Sequence, residues 1–315
     1  MKSDIKETIE RLFDPTVNFW PRFSMKSKIA KSITDIVFLI IIFGIGQLGG
    51  GIVGGIIGAI LSKLVGVSSN TWMMSIGLAT ASLLTILLFF VYRYMVIKSH
   101  WLEKSDFIAE INPFRLRWRL APLMMIATFI GAVSIGCLGQ ALGVEDRLED
   151  LMQGLANNPI GVLTIVFIGP LGEEIIFRHG MLGGMLRRRV NPWVAILVSS
   201  LIFGIIHWNP IQIVFASALG VMLGILYTKS QSIVPSLIYH IINNGIAVTV
   251  MLLTGKEQDP TTDLFDTPPV LYSVAVVAAA ISIPLFIYYW RKPTLTYKST
   301  PNSSLITPNC HAPEN

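Results

Sequence analysis

The chain has 315 residues, 52% of them hydrophobic and 14% charged, with a mean hydropathy of +0.63. That excludes a soluble globular protein, because several apolar runs reach the roughly 18 to 20 residues needed to cross a bilayer. The net charge of +5 is therefore read as membrane topology and not as nucleic-acid binding. Cys137 and Cys310, the two cysteines, give neither a disulfide framework nor a metal spacing.

Residues 1–33 read as a polar cytoplasmic segment. Asp4, Glu7 and Glu10 stand among its lysines, and no short apolar region with a cleavage site follows, so no removable signal peptide is read. Its aromatics (Phe13, Phe19, Trp20, Phe23) suit a helix lying on the membrane surface and an ordinary leader equally well. Residues 34–158 hold three expected spans, about Thr34 to Leu61, Trp72 to Ile97 and Leu120 to Leu142. In the first, Gly46, Gly50, Gly54 and Gly58 recur every four residues and clear one helix face for close approach of another backbone. A basic loop (Lys98, Lys104, Arg115, Arg117, Arg119) follows the second, and an acidic segment (Glu145, Asp146, Glu149, Asp150) the third.

Residues 159–253 hold four more spans: one from about Pro159 to Arg187, then Pro192 to Trp208, Ile211 to Tyr227 and Ser232 to Leu253. Residues 254–290 supply a loop and the eighth span, and 291–315 a polar tail expected to be disordered. Lys and Arg test this map. Counting Arg93 at the lip of the second span, the termini and the connections after even-numbered spans hold 20 of them, and the other connections 3. The expectation is an all-α, eight-transmembrane-helix bundle with both termini cytoplasmic.

Gly172-Glu173-Glu174-Ile175-Ile176-Phe177-Arg178 lies in the middle of the fourth span. Ionisable residues at that depth are expensive and point to function. On a helix Glu174 and Arg178 are four apart, acid before base, and are expected to form an ion pair. Glu173 turns about 100° away and is left to face something else. Gly169, Pro170 and Gly172 are expected to loosen the helix and admit water or a neighbouring side chain.

Three further polar side chains stand deep in apolar runs: His207, closing Phe203-Gly204-Ile205-Ile206-His207, and His240 and Asn244 of His240-Ile241-Ile242-Asn243-Asn244. Singly, each is explained by an interhelical hydrogen bond. Counting about 1.5 Å per residue from the cytoplasmic ends puts Glu173 and Asn244 roughly 21 Å deep, His207 roughly 24 Å and His240 roughly 15 Å. They form one layer. A carboxylate beside an imidazole can deprotonate water and aim it at a carbonyl, and a second imidazole and a carboxamide can stabilise the resulting oxyanion. No Gly-x-Ser-x-Gly, Ser-Lys pair or reactive cysteine favours a covalent intermediate. His-Glu-x-x-His is also absent, yet Glu173, His207 and His240 make a candidate Zn²⁺ site with an open fourth position. Metal-activated and carboxylate-activated water both stay open.

Glu173-Glu174-x-x-x-Arg178, Phe203-x-x-x-His207 and His240-x-x-x-Asn244, in this order, resemble the CPBP family of type II CAAX prenyl endopeptidases and bacteriocin-processing or bacteriocin-immunity membrane proteins, over about residues 160–250. The resemblance implies an eight-span bundle with an intramembrane catalytic cavity, and an endopeptidase that is either glutamate-dependent or a metalloendopeptidase. It implies that Glu173 and His207 activate the water, that His240 and Asn244 serve the oxyanion, and that Glu174 with Arg178 supports them. His179 stands where the family commonly has glycine, and reads as a packing or hydrogen-bonding variation. The expected partners are the bilayer of a bacterial plasma membrane and a peptide or membrane-associated protein substrate, with no nucleic acid. A non-proteolytic immunity or scaffold protein of the same fold is the first rival. A transporter is the second, disfavoured because no inverted repeat is visible.

Overall fold

The structure, a computed structural model, describes residues 28–66, 69–96, 121–142, 149–188, 190–230, 232–254 and 267–291. The N-terminal segment before residue 28, the basic loop, part of the acidic segment (Glu145 and Asp146) and the C-terminal tail lie outside them, as do His100, His311 and Cys310.

All eight expected spans are helical. They are α1 (Lys28–Val65), α2 (Ser69–Val96), α3 (Ala121–Ala141), α5 (159–187), α6 (Pro192–Ile205), α7 (Pro210–Ser230), α8 (Ile233–Thr254) and α9 (Pro268–Arg291); a short α4 (Glu149–Ala156) precedes α5. No strand occurs among the described residues. The chain is an all-α integral membrane protein. Among the described residues six helices are long and apolar enough to cross a bilayer, whereas the apolar parts of α3 (Met125–Ala141) and α6 are shorter. Length and composition alone thus identify six candidate crossings among the described residues, with α3 and α6 as shorter apolar helices beside them.

Burial separates a centre from a periphery. Half of the most apolar window of α5 and 56% of that of α7 are buried inside the protein, against 17% for α1 and 22% for α9. The outer helices turn Leu48, Leu64, Val276 and similar side chains outward, where lipid takes the place of a core. The packed core joins Ile176, Phe177, Met181 and Leu182 of α5 to Ile196 and Phe203 of α6 and Leu223 and Leu226 of α7. The glycine stripe of α1 packs as expected. A Cβ at Gly50 would lie 2.4 Å from the Ala81 Cα, and one at Gly58 2.6 Å from the Met73 Cα, so only glycine lets α1 and α2 come this close.

The helix starts are set locally. Asn158 Oδ1 accepts from the amides of Ile160 (2.9 Å) and Gly161 (3.3 Å), with Pro159 in the first turn of α5. Asn191 and Pro192 repeat the device on α6, where Asn191 Oδ1 accepts from Trp193 at 2.9 Å. At its far end α6 stops at Ile205, three residues before the expected Trp208. Asn209 precedes Pro210 and is pushed away from helical backbone. Trp208, 86% exposed, takes a φ of 55°, so the chain reverses there and leaves His207 in the turn.

The helix carrying the glutamates is not uniform. Pro159–Leu163 is α-helical, Thr164–Ile168 is π-helical, Gly169–Glu173 returns to α, Glu174–Leu182 is again π and Gly183–Arg187 is α. The expected loosening around Gly169, Pro170 and Gly172 is thus present as two widened turns, not as a break. Its far end is clamped: Arg188 pairs with Asp35 of α1, and Arg187 Nη2 donates to the His179 carbonyl at 3.1 Å.

Candidate active site in the bundle interior

Glu173 and Glu174 sit at the junction between the second α stretch and the second π stretch of α5. Glu174 is fully buried and its Oε2 lies 3.5 Å from Arg178 Nε, which is the ion pair expected from the spacing. Arg178, also 0% exposed, lays its guanidinium on the Phe203 ring, 4.5 Å from the centroid. Among the described residues its terminal nitrogens have no hydrogen-bond acceptor, so the ring face supplies part of what a carboxylate fork otherwise gives.

Glu173 does face a different neighbour, and that neighbour is His240. Its Oε2 lies 3.6 Å from His240 Nε2, while His240 Nδ1 lies 3.1 Å from Glu174 Oε1. One imidazole of α8 therefore bridges both acids of α5. The Glu173 side chain keeps 23% of its surface accessible, whereas Glu174 keeps none.

His207 belongs to the same chamber without touching Glu173 directly. Its Nδ1 lies 2.8 Å from the Phe203 carbonyl. A carbonyl only accepts, so Nδ1 carries the proton and, in the neutral ring, Nε2 is left with its lone pair. Phe203 holds the imidazoles in place. Its ring centroid stands 5.1 Å from that of His207 and 5.9 Å from that of His240, both nearly perpendicular.

Asn244 has a structural duty that the sequence did not reveal. Within the first π turn the Gly169 amide bonds back to Thr164 O, five residues away. The next carbonyl in that pattern, Ile165, would take the amide of residue 170, but residue 170 is proline and has no N–H. Asn244 Nδ2 fills the place, donating to Ile165 O at 2.9 Å. Asn243 Nδ2 donates to Asn244 Oδ1 at 3.2 Å and fixes the amide's orientation. One N–H of the Asn244 amide is therefore occupied and one is left.

Glu173, His207, His240 and Asn244 all line one cavity of about 440 Å³, together with side chains of α1, α2, α4 and α7. Its other polar lining is neutral: Gln47, Ser82, Thr85, Thr164, Gln212 and Asn243. Gln47 and Gln212 were not singled out from the sequence, though Gln47 was visible as an uncharged polar residue inside an apolar run. Phe203 was visible only as a motif position without a role. His179 is fully buried elsewhere, with Arg93 Nη2 3.3 Å from its Nε2 and Phe89 against its ring, and it does not line the cavity. Among the described residues no group of three His, Cys, Asp or Glu side chains is spaced to hold a metal ion. The donor set Glu173, His207 and His240 thus does not close around one point.

Comparison with known proteins places a likeness over the same part of the chain. Residues 155–246 match the family model described as type II CAAX prenyl endopeptidase Rce1-like. Over 115 residues the chain is 32% identical to YdiL of Bacillus subtilis, provisionally named a membrane peptidase; the match covers 36% of this chain and 46% of YdiL. Over 164 residues it is 27% identical to the membrane-embedded CAAX protease MroQ of Staphylococcus aureus, covering 50% of this chain and 66% of MroQ. The matched part thus spans about half of one relative and just under two thirds of the other. No solved structure matches the chain. The residues that share one cavity, Glu173, His207, His240 and Asn244, all lie within the segment that matches the Rce1-like CAAX protease model, residues 155–246.

Proposed function

We propose that the chain is an intramembrane endopeptidase that hydrolyses a peptide bond with a water molecule activated by Glu173 and His207. One observation carries the reading: an accessible carboxylate, two imidazoles and a carboxamide from α5, the α6–α7 turn and α8 share one cavity inside an apolar bundle. The Glu173 carboxylate takes one proton of the water as its oxygen attacks the carbonyl carbon, while the lone pair of His207 Nε2 accepts a hydrogen bond from the other O–H and orients the attack. His240, held between the two glutamates, and the remaining N–H of Asn244 face the oxyanion. Collapse of the tetrahedral intermediate breaks the C–N bond, and the proton passes to the leaving amine. Glu174 and Arg178 keep His240 in place.

The reading extends to both termini cytoplasmic, as the Lys and Arg asymmetry requires, and to a peptide or membrane-associated substrate of the CAAX type or the leader or bacteriocin type. The names of the family and of MroQ support the protease class. Replacing Glu173 or His207 by Ala is expected to lower cleavage of a fluorogenic peptide by about 10²–10⁴-fold, with insertion and thermal melting in detergent unchanged. Turnover retained by either variant would count against the assignment. Carboxylate activation further predicts that EDTA or 1,10-phenanthroline leaves the rate unchanged and that elemental analysis finds no stoichiometric zinc. Loss of activity restored by Zn²⁺ would instead favour metal-activated water.

A further inference from the structure

Besides Asn244, three neutral carboxamides line the cavity from three helices: Gln47 of α1, Gln212 of α7 and Asn243 of α8. Two are tied to the protein. Gln47 Nε2 donates to Thr85 Oγ1 at 3.3 Å, and Asn243 Nδ2 to Asn244 Oδ1 at 3.2 Å. Among the described residues Gln212 alone of the three makes no side-chain hydrogen bond, and it shares its helix wall with Phe215, Ala216 and Leu219. An amide presented to a cavity inside an apolar bundle, with no protein partner, is costly. Its chemical complement is a peptide group, which offers one acceptor and one donor where the carboxamide offers one donor and one acceptor.

Hydrolysis supplies such a group. In the interior of a helix each backbone carbonyl is already bonded and shielded, so a helical segment must unwind before such a carbonyl can be attacked. The N–H and C=O groups freed by unwinding then need partners in a space with little water. The described lining contains no Lys or Arg, and its one carboxylate is Glu173. Apart from Glu173, which the proposed hydrolysis uses, it therefore offers no counter-ion to a charged substrate side chain.

We infer that Gln212 is a substrate-binding residue that pairs with the backbone of an extended, uncharged peptide segment, a deepening that rests on the endopeptidase reading. The segment lies along α7 with its scissile carbonyl toward Glu173 and His207. Gln47 and Asn243, each with an amide oxygen or N–H to spare, continue the pairing on either side.

The test measures binding apart from chemistry. The full chain carrying Glu173→Gln is purified in detergent, and the Kd of a fluorescein-labelled leucine- and alanine-rich decapeptide is read by anisotropy. A series of single ester replacements along the peptide removes one N–H at a time. Adding Gln212→Leu is expected to weaken binding about ten-fold, and Gln212→Asn by less. One ester position should lose affinity when Gln212 is present and lose nothing further in the Gln212→Leu protein. Equal binding by Gln212→Leu, ester profiles that coincide in both proteins, or no binding by the Gln212-containing protein would each overturn the inference. Melting curves monitor folding, and the ester series needs no variant at position 212 to reveal which N–H is read. Cleavage by the wild-type chain reports separately: Gln212-dependent binding without cleavage sinks the hydrolase and spares the binding site, and cleavage with Gln212-independent binding does the reverse.

Discussion

At the scale of single residues, Phe203 connects more of the site than any charged group does. Its carbonyl fixes the tautomer of His207, one face of its ring carries the Arg178 guanidinium, and both imidazoles stand within 6 Å of its centroid. Truncating it to Leu leaves the backbone bond to His207 in place but frees both rings and exposes Arg178 to a poorer neighbour. Phe203→Leu is expected to lower kcat by about ten- to a hundred-fold, because ångström-scale misplacement costs that much, while KM changes little. A kcat within two-fold of wild type would show that the ring only fills space. Arg178 also explains why Glu174 can be buried at all: an ion pair stripped of one member leaves an uncompensated charge in a dry interior. This pair was legible in the sequence because it obeys a local spacing rule.

At the scale of the helix, the two widened turns of α5 determine what Asn244 does. Pro170 cannot donate, Ile165 is left waiting, and a carboxamide from 79 residues along the chain fills the gap. Asn244→Ala should cost about 1–3 kcal/mol, the penalty for a buried carbonyl left unpaired. Pro170→Ala restores a backbone donor, so in the double variant the two effects should fall short of their sum by a similar amount. Strict additivity in thermal or denaturant unfolding would remove this account of the π turn. Here the sequence reading was incomplete for a physical reason. Gly169, Pro170 and Gly172 announced a weak place in the helix, but nothing local says whether such a place kinks, breaks or widens. The bridging of Glu173 and Glu174 by His240 was hidden likewise, because partners on different helices are set by packing and not by spacing along one helix. The sequence reading runs three residues past the end of α6 because Ile206 and Trp208 still look apolar enough to continue it.

At the scale of the molecule, a buried centre of α5 and α7 is enclosed by helices that turn much of their surface to lipid. Without a hydrophobic drive between lipid-facing helices, shape must hold α1 to α2, and the glycine stripe provides it. Gly50→Ile drives a side chain into the Ala81 backbone and should lower stability by about 1–3 kcal/mol. Gly51→Ile, one residue away with nothing within 4 Å of its Cβ position, should be nearly silent. Equal melting temperatures for the two variants would contradict the packing. The order of helices, the stripe and the residues of the cavity layer were all legible beforehand, since hydropathy and charge asymmetry are properties of the chain itself. The widened turns of α5 also bear on comparison between relatives. A turn closed by i→i+5 bonding takes in one residue more than an α turn. A chain with one residue fewer between 164 and 168, or between 174 and 182, can then offer the same groups at the same height through plain α turns. Alignment gaps against similar chains therefore belong inside the helix that bears the acids as well as in the loops, and a gap forced into a loop would mispair the very positions that matter.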